Sequence, residues 1–83
     1  MKLDILTPEK KIFNGDVLGV ILPGVEGYFE LLENHAPIVA ALGKGQLKIL
    51  KDKNTQEQYT IEGGFVEMNN NKTVVLIEGA TKN

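Results

Sequence analysis

Cysteine, serine, arginine and tryptophan are all missing from this chain, and histidine occurs once, at His35. Without cysteine there are no disulfide staples and no thiolate metal sites, which agrees with a reducing compartment. Without serine or cysteine the usual nucleophilic triads lose their nucleophile. A threonine would need His35 as its base, and neither Thr7 nor Thr55 stands in an activating context. One histidine also falls short of the three or four His or Cys ligands that zinc recruits. The lack of arginine removes the planar fork that reads phosphates and guanine edges, and a net charge of −2 gives no pull towards nucleic acid or anionic lipid. Long apolar runs are missing too. Residues 20–22 and 38–42 are far short of the roughly 20 residues a helix needs to cross a bilayer. Residues 1–7 alternate charge with apolar side chains instead of building the apolar block of a signal peptide. The expectations are a cytosolic setting, no catalytic residues, no metal, no cofactor and no nucleic-acid partner.

What is present is an ordinary soluble composition, 42% hydrophobic and 24% charged, in a length of 83 residues that fits one core. A domain this small buries only about 60% of the surface of its unfolded chain, which argues against a deep catalytic cleft. Periodicity favours strands nearly everywhere. Residues 2–7 alternate around Leu3 and Ile5, and Pro8, Glu9 and Lys10 read as a turn. Residues 11–22 form a long extended run, interrupted at Asn14-Gly15, a pair suited to a turn or bulge. Pro23-Gly24 and Gly27 punctuate a loop, and residues 28–32 are strand-like. Residues 33–42 are ambiguous by propensity, because Pro37 suits a first helical turn and Ile38, Ala41 and Leu42 fall at helical spacing, but the flanks tip them towards strand. After Gly43-Lys44-Gly45, residues 46–51 and 57–62 alternate on either side of a polar loop. Gly63-Gly64 permits a corner. Residues 65–68 and 72–77 make a last pair across Asn69-Asn70-Asn71, a type of residue that adopts left-handed conformations readily. Eight or more short strands with turn signals about every ten residues spell an all-β sandwich or barrel.

Few residues remain as candidates for chemistry. The glycine pairs fit neither the dinucleotide fingerprint nor the phosphate-binding loop and read as turns. Asp52-Lys53-Asn54 has a lysine where a calcium loop needs oxygen. The carboxylate pairs Glu30/Glu33 and Glu62/Glu67 read as charged strand edges that discourage edge-to-edge pairing. His35, in Glu33-Asn34-His35-Ala36-Pro37, suits a packed or capping role and an interface role equally well. Tyr28, Phe29, Leu31 and Leu32 must send one apolar set outward if their strand is half-buried, and an outward apolar patch means a partner.

Leu3-Asp4-Ile5-Leu6-Thr7-Pro8-Glu9, Phe13-Asn14-Gly15, Leu22-Pro23-Gly24 with Glu26-Gly27, Asn34-His35-Ala36-Pro37, Gly45, Gly63-Gly64-Phe65-Val66-Glu67 and Val74-Val75-Leu76 follow one another in an order that closely resembles the amino-terminal domain of the epsilon subunit of F-type ATP synthase. The resemblance covers essentially the whole chain. It implies a flattened β-sandwich of about ten strands over residues 1–83 and turns the ambiguous segment 37–42 into strand. It further implies a non-catalytic rotor component of the central stalk, bound to the gamma subunit and resting on the c-ring, that couples proton translocation to ATP synthesis. Carried over by position, Glu26, Gly27, Tyr28, Glu30, Glu33, Asn34 and His35 face the c-ring, and Thr7 and Ala40 lie near gamma. Glu30 stands where the family commonly has glycine, and Glu33-Asn34 where it often has Pro-Gly, so this ring-facing surface is more acidic and suits basic loops. The family's carboxyl-terminal helical hairpin is missing from these residues, and with it the expectation of a small-molecule ligand. The implied location is peripheral, on the cytoplasmic face of a bacterial inner membrane rather than in an organelle, without insertion into the bilayer. The rival reading is a free-standing β-sandwich that binds a carbohydrate or peptide, although Tyr28 and Tyr59 alone make a poor stacking platform.

Overall fold

The computed structural model describes all 83 residues, Met1–Asn83, and contains ten strands and no helix. They are β1 (Lys2–Leu6), β2 (Lys11–Asp16), β3 (Gly19–Gly24), β4 (Gly27–Leu32), β5 (Ile38–Leu42), β6 (Gly45–Leu50), β7 (Gln56–Ile61), β8 (Gly63–Asn69), β9 (Lys72–Glu78) and β10 (Thr81–Lys82). All join in one sheet that curls over on itself as two halves. One half runs β4-β3-β6-β7-β10 and the other β5-β8-β9-β1-β2. The halves meet where β3, after pairing with β6 through Gly19, Val20 and Ile21, passes to β5 at Gly24 opposite Leu42.

The inward phase of each strand supplies the core. Leu3 and Ile5 of β1, Val20 and Leu22 of β3, Leu31 of β4, Leu47 and Ile49 of β6, Ile61 of β7, Val66 and Met68 of β8, and Val75 and Ile77 of β9 are essentially inaccessible and belong to one cluster. Period-two alternation sends these residues to one face, and each fully buried aliphatic chain contributes about 1.5–3 kcal/mol. β1 also pairs with β9 in parallel, Leu3 opposite Thr73 and Ile5 opposite Val75.

The chain passes between the halves five times, through Val17-Leu18, residues 33–37, Gly43-Lys44, Glu62 and Gly79-Ala80, and the corner expected at Gly63-Gly64 falls one residue earlier, on Glu62, with both glycines already paired in β8. Gly64 has φ 155°, and a Cβ on it would lie 2.2 Å from the Leu76 carbonyl oxygen. Asn70 and Asn71 both take positive φ in the β8–β9 turn, as their residue type suggests. Segment 38–42 is strand.

Other expectations shift. Asn14-Gly15 is no interruption: both lie inside β2, paired with Asp4 and Leu3, because the Asn14 amide is taken up by the Asp4 carboxylate across the ladder. The irregularity falls at Ile12, skipped between the pairs Ile5–Phe13 and Leu6–Lys11, and the break between strands falls at Val17-Leu18. Pro23 and Gly24 are in β3 rather than in a loop, and the turn contracts to Val25-Glu26. Pro23 lacks an N–H, but its carbonyl accepts from Gly43 N, so the strand keeps a useful contact there. Residues 79–83, beyond the last strand the alternation marks, contain β10, which pairs Thr81 and Lys82 with Thr60 and Tyr59.

Candidate docking surfaces

β4 is bonded only to β3, so its other edge is open. Tyr28, Glu30 and Leu32 point outward from it, while Leu31 points into the core and Phe29 packs against it. The apolar cluster noted in the sequence therefore divides, with Phe29 and Leu31 inside and Tyr28 and Leu32 exposed. Glu26 lies in the turn before the strand, Gly27 is the strand's first residue, and Glu33, Asn34 and His35 lie in the loop that follows it. The seven residues matched to the ring contact thus line one open edge and its two ends. Three carboxylates, Glu26, Glu30 and Glu33, are exposed along it.

Several of these side chains also have local work. The Tyr28 hydroxyl accepts a hydrogen bond from Gln46 N at 2.9 Å, with its ring side chain against Gly45. A Cβ on Gly45 would come within 2.6 Å of that oxygen, so the bare glycine is what lets the tyrosine lie flat. Glu33 Oε1 accepts from the Met1 ammonium at 3.0 Å, and Asn34 N donates to Asn71 Oδ1 at 2.9 Å. His35 is exposed; its Nδ1 lies 2.6 Å from Ala36 O, and its backbone N–H closes a turn on Leu32 O.

A second surface covers the outer face of the other half. There the register aligns Ala41, Phe65, Leu76 and Leu6 across β5, β8, β9 and β1. Phe65 is 46% exposed, Leu76 50% and nearby Val39 59%, a contiguous apolar row open to water. Beside it lies a cleft of about 520 Å³ lined by Leu6, Thr7, Pro8, Gly64, Phe65, Leu76, Ile77 and Glu78. Composition alone did not single out this row. The signal for it is Val74-Val75-Leu76-Ile77, apolar in both phases of a strand that buries only one.

Thr7 stands at one rim of the face. Its Oγ1 accepts from Glu9 N and Lys10 N and donates to Lys10 O, which fixes the turn after β1. Ala40 lies in β5, separated from β1 by β8 and β9, and faces inward opposite Val66. It lines a groove of about 280 Å³ with Gly24, Val25, Glu26, Gly27, Phe29, Ile38 and Ala41. Thr7 and Ala40 therefore lie apart: Thr7 stands at the rim of the outer apolar row, whereas Ala40 faces inward, next to the row's Ala41, and borders the β3–β4 turn.

The strongest ionic cluster is elsewhere and reads as structural. Glu57 accepts from Lys51 at 2.7 Å and Lys82 at 3.2 Å, and the Tyr59 hydroxyl donates to it at 3.3 Å. The hydrogen bond from Lys51, followed by the nearby Lys82, holds the Glu57 carboxyl below its ordinary value. Burial, and then the Glu57 charge, push Tyr59 up. No three His, Cys, Asp or Glu side chains come together as a metal site, and no helix is long and apolar enough to cross a membrane.

Comparison with known proteins gives these surfaces their context. The family described as ATP synthase, Delta/Epsilon chain, beta-sandwich domain matches residues 1–83. The ATP synthase epsilon chain of Chlorobium limicola is 43% identical over 77 residues, spanning 93% of this chain and 88% of that one. The epsilon chain of Leptospira interrogans serovar copenhageni is 43% identical over 83 residues, and this chain spans 65% of its length. A chain in the cryo-EM structure of the Euglena gracilis mitochondrial ATP synthase, OSCP/F1/c-ring in rotational state 1, superimposes with a TM-score of 0.90 at 23% identity, covering 96% of this chain and 51% of that one. A chain in the central stalk/c-ring structure from Tetrahymena thermophila gives 0.83 at 20% identity, covering 96% and 64%; at these identities the two superpositions speak for the fold. A ten-stranded curled sheet that presents an acidic open edge and an uncovered apolar face, matched from end to end by the family profile, belongs to the ATP synthase delta/epsilon family and carries its β-sandwich domain.

Proposed function

We propose that this domain is a non-catalytic coupling piece of the central stalk, which holds the gamma subunit with its outer apolar face and the c-ring with its β4 edge. The observation that carries the reading is the uncovered row Ala41–Phe65–Leu76–Leu6. A soluble domain leaves such a row open for a partner, and rotor complexes of relatives supply the kind of partner expected. Thr7, at the rim of that row, and Ala40, which underlies its Ala41 end, belong to the same gamma-facing half. The acidic edge from Glu26 to His35 is suited to basic loops on the ring. Both surfaces belong to one packed body with a single core, and close-packed interiors transmit strain instead of absorbing it. That is the mechanical requirement of a part that passes torque. The setting that goes with this reading is a peripheral one, at the cytoplasmic face of a bacterial membrane.

The rival ligand-binding reading has one feature in its favour, since the cleft beside Phe65 falls in the size range of small-molecule sites. Only Thr7 and Glu78 bring polar side chains to it, and Thr7 is already engaged in its own turn, so the convergent polar set that orients a ligand is absent. The two readings separate in a pull-down on immobilised gamma. Phe65→Asp should weaken capture by about tenfold or more while thermal unfolding shifts little, because Phe65 is outside the core. Tyr28→Ala with His35→Ala should leave gamma capture intact and weaken retention of the c-ring. Full gamma binding by the Phe65→Asp variant would remove the apolar face from the account.

A further inference from the structure

The loop between β4 and β5, residues 33–37, links the two halves of the sheet and carries Glu33, Asn34 and His35. Within the loop the backbone makes one turn bond, His35 N to Leu32 O at 3.1 Å. Its other ties come from far along the chain. Asn34, at φ 66°, donates its N–H to Asn71 Oδ1 at 2.9 Å, and Glu33 accepts from the Met1 ammonium. Asn71 is itself held in a left-handed conformation, φ 61°, in the β8–β9 turn, with its carbonyl accepting from Lys2 N at 3.1 Å. The residue therefore uses its backbone to bind the first strand and its side chain to bind the loop. Only an amino acid that tolerates positive φ and also carries a short acceptor can do both, which narrows the choice to asparagine or aspartate.

We propose that Asn71 is a positioning residue for docking: its Oδ1 fixes Asn34 and so presents His35 and Glu33 in the conformation that meets the partner of the β4 edge. The inference rests on the ring-facing reading of that edge. An exposed loop with one internal bond otherwise samples many conformations, and ordering it at an interface costs affinity. A bond anchored on the rigid β8–β9 hairpin meets that cost before the partner arrives.

The substitutions separate acceptor from backbone. Asn71→Gly keeps the positive φ and the carbonyl to Lys2 but removes the acceptor, whereas Asn71→Asp keeps an acceptor oxygen. Amide hydrogen exchange at Asn34 reads the positioning directly, and binding to detergent-solubilised c-ring reads its purpose. Asn71→Gly should speed Asn34 exchange about tenfold and weaken ring binding about fivefold to tenfold, with thermal unfolding little changed and with Asn71→Asp close to the parent in both. Unchanged Asn34 exchange in Asn71→Gly overturns the inference outright. Faster exchange with intact ring binding also overturns it, and a His35→Ala control shows where the fault lies. If His35→Ala weakens the ring complex, only the role of Asn71 is wrong; if His35→Ala binds normally as well, the ring-facing reading of the edge has failed.

Discussion

Gly64 shows how a single missing methyl group shapes this domain. A Cβ there would lie 2.2 Å from the Leu76 carbonyl oxygen and 2.9 Å from Ile77 Cα, both backbone atoms of the neighbouring strand that cannot swing aside. Gly27 offers the contrast: its φ of 129° is strained for other residues, but nothing lies within 4 Å of the added atom. Gly64→Ala should therefore cost about 3 kcal/mol or more and Gly27→Ala about 1 kcal/mol, as read from urea unfolding midpoints. Equal losses at the two sites would show that backbone strain, and not the β8–β9 approach, explains the glycine at 64. At this scale the sequence was informative where residue type has a narrow backbone meaning. The Asn70-Asn71 turn was legible for that reason, and the corner read at Gly63-Gly64 was legible to within one residue, since it falls on Glu62. The partners of side chains were not: the bonds from Gln46 N to Tyr28 and from Asn34 N to Asn71 join residues 18 and 37 positions apart, a distance over which local pattern carries no information.

Among the elements, β10 is the one whose hold depends most on charge. It pairs with β7 through two residues, and Lys82 adds an ion pair to Glu57, which Lys51 also binds. Because the folded-state pKa of Glu57 is depressed, its contribution is fully present above the ordinary carboxylate value of 4.5 and is lost as pH falls below that through the folded value. Glu57→Gln should therefore lower thermal stability at pH 7, and the gap to the parent should close as the pH drops below about 4.5. A gap that stays constant from pH 7 to pH 3 would mean that packing of the stem, not charge, accounts for the difference. β10 was illegible from sequence because two residues give no periodicity, and its strand character comes from the neighbour that it joins. β2 was misjudged for a related reason. Asn14-Gly15 has turn chemistry, but Asp4 on the adjacent strand takes up the Asn14 amide, and tertiary pairing overrode local preference. Segment 37–42 was ambiguous by propensity because Pro37 starts either structure; family resemblance resolved it, and pairing with β8 explains it.

For the whole molecule, fold class and much of the core followed from alternation, since the inward phases of β1, β6 and β7 are the phases a two-residue period selects. The outer apolar row was harder to see, because four strands contribute one or two residues each and only the order β5-β8-β9-β1 brings them side by side. The acidic edge, by contrast, is nearly continuous in sequence from Glu26 to His35 and was visible there. These two surfaces lie on different halves of one curled sheet whose extents are only 27 × 25 × 23 Å, so the body is small enough to touch two neighbours at once. The direct test is a bridging measurement: immobilise gamma, add detergent-solubilised c-ring with and without this chain, and quantify the c-ring retained. Retention should rise with added chain to a stoichiometric plateau and be lost with either Phe65→Asp or the pair Tyr28→Ala and His35→Ala. Ring retention that is the same with and without the chain would contradict it.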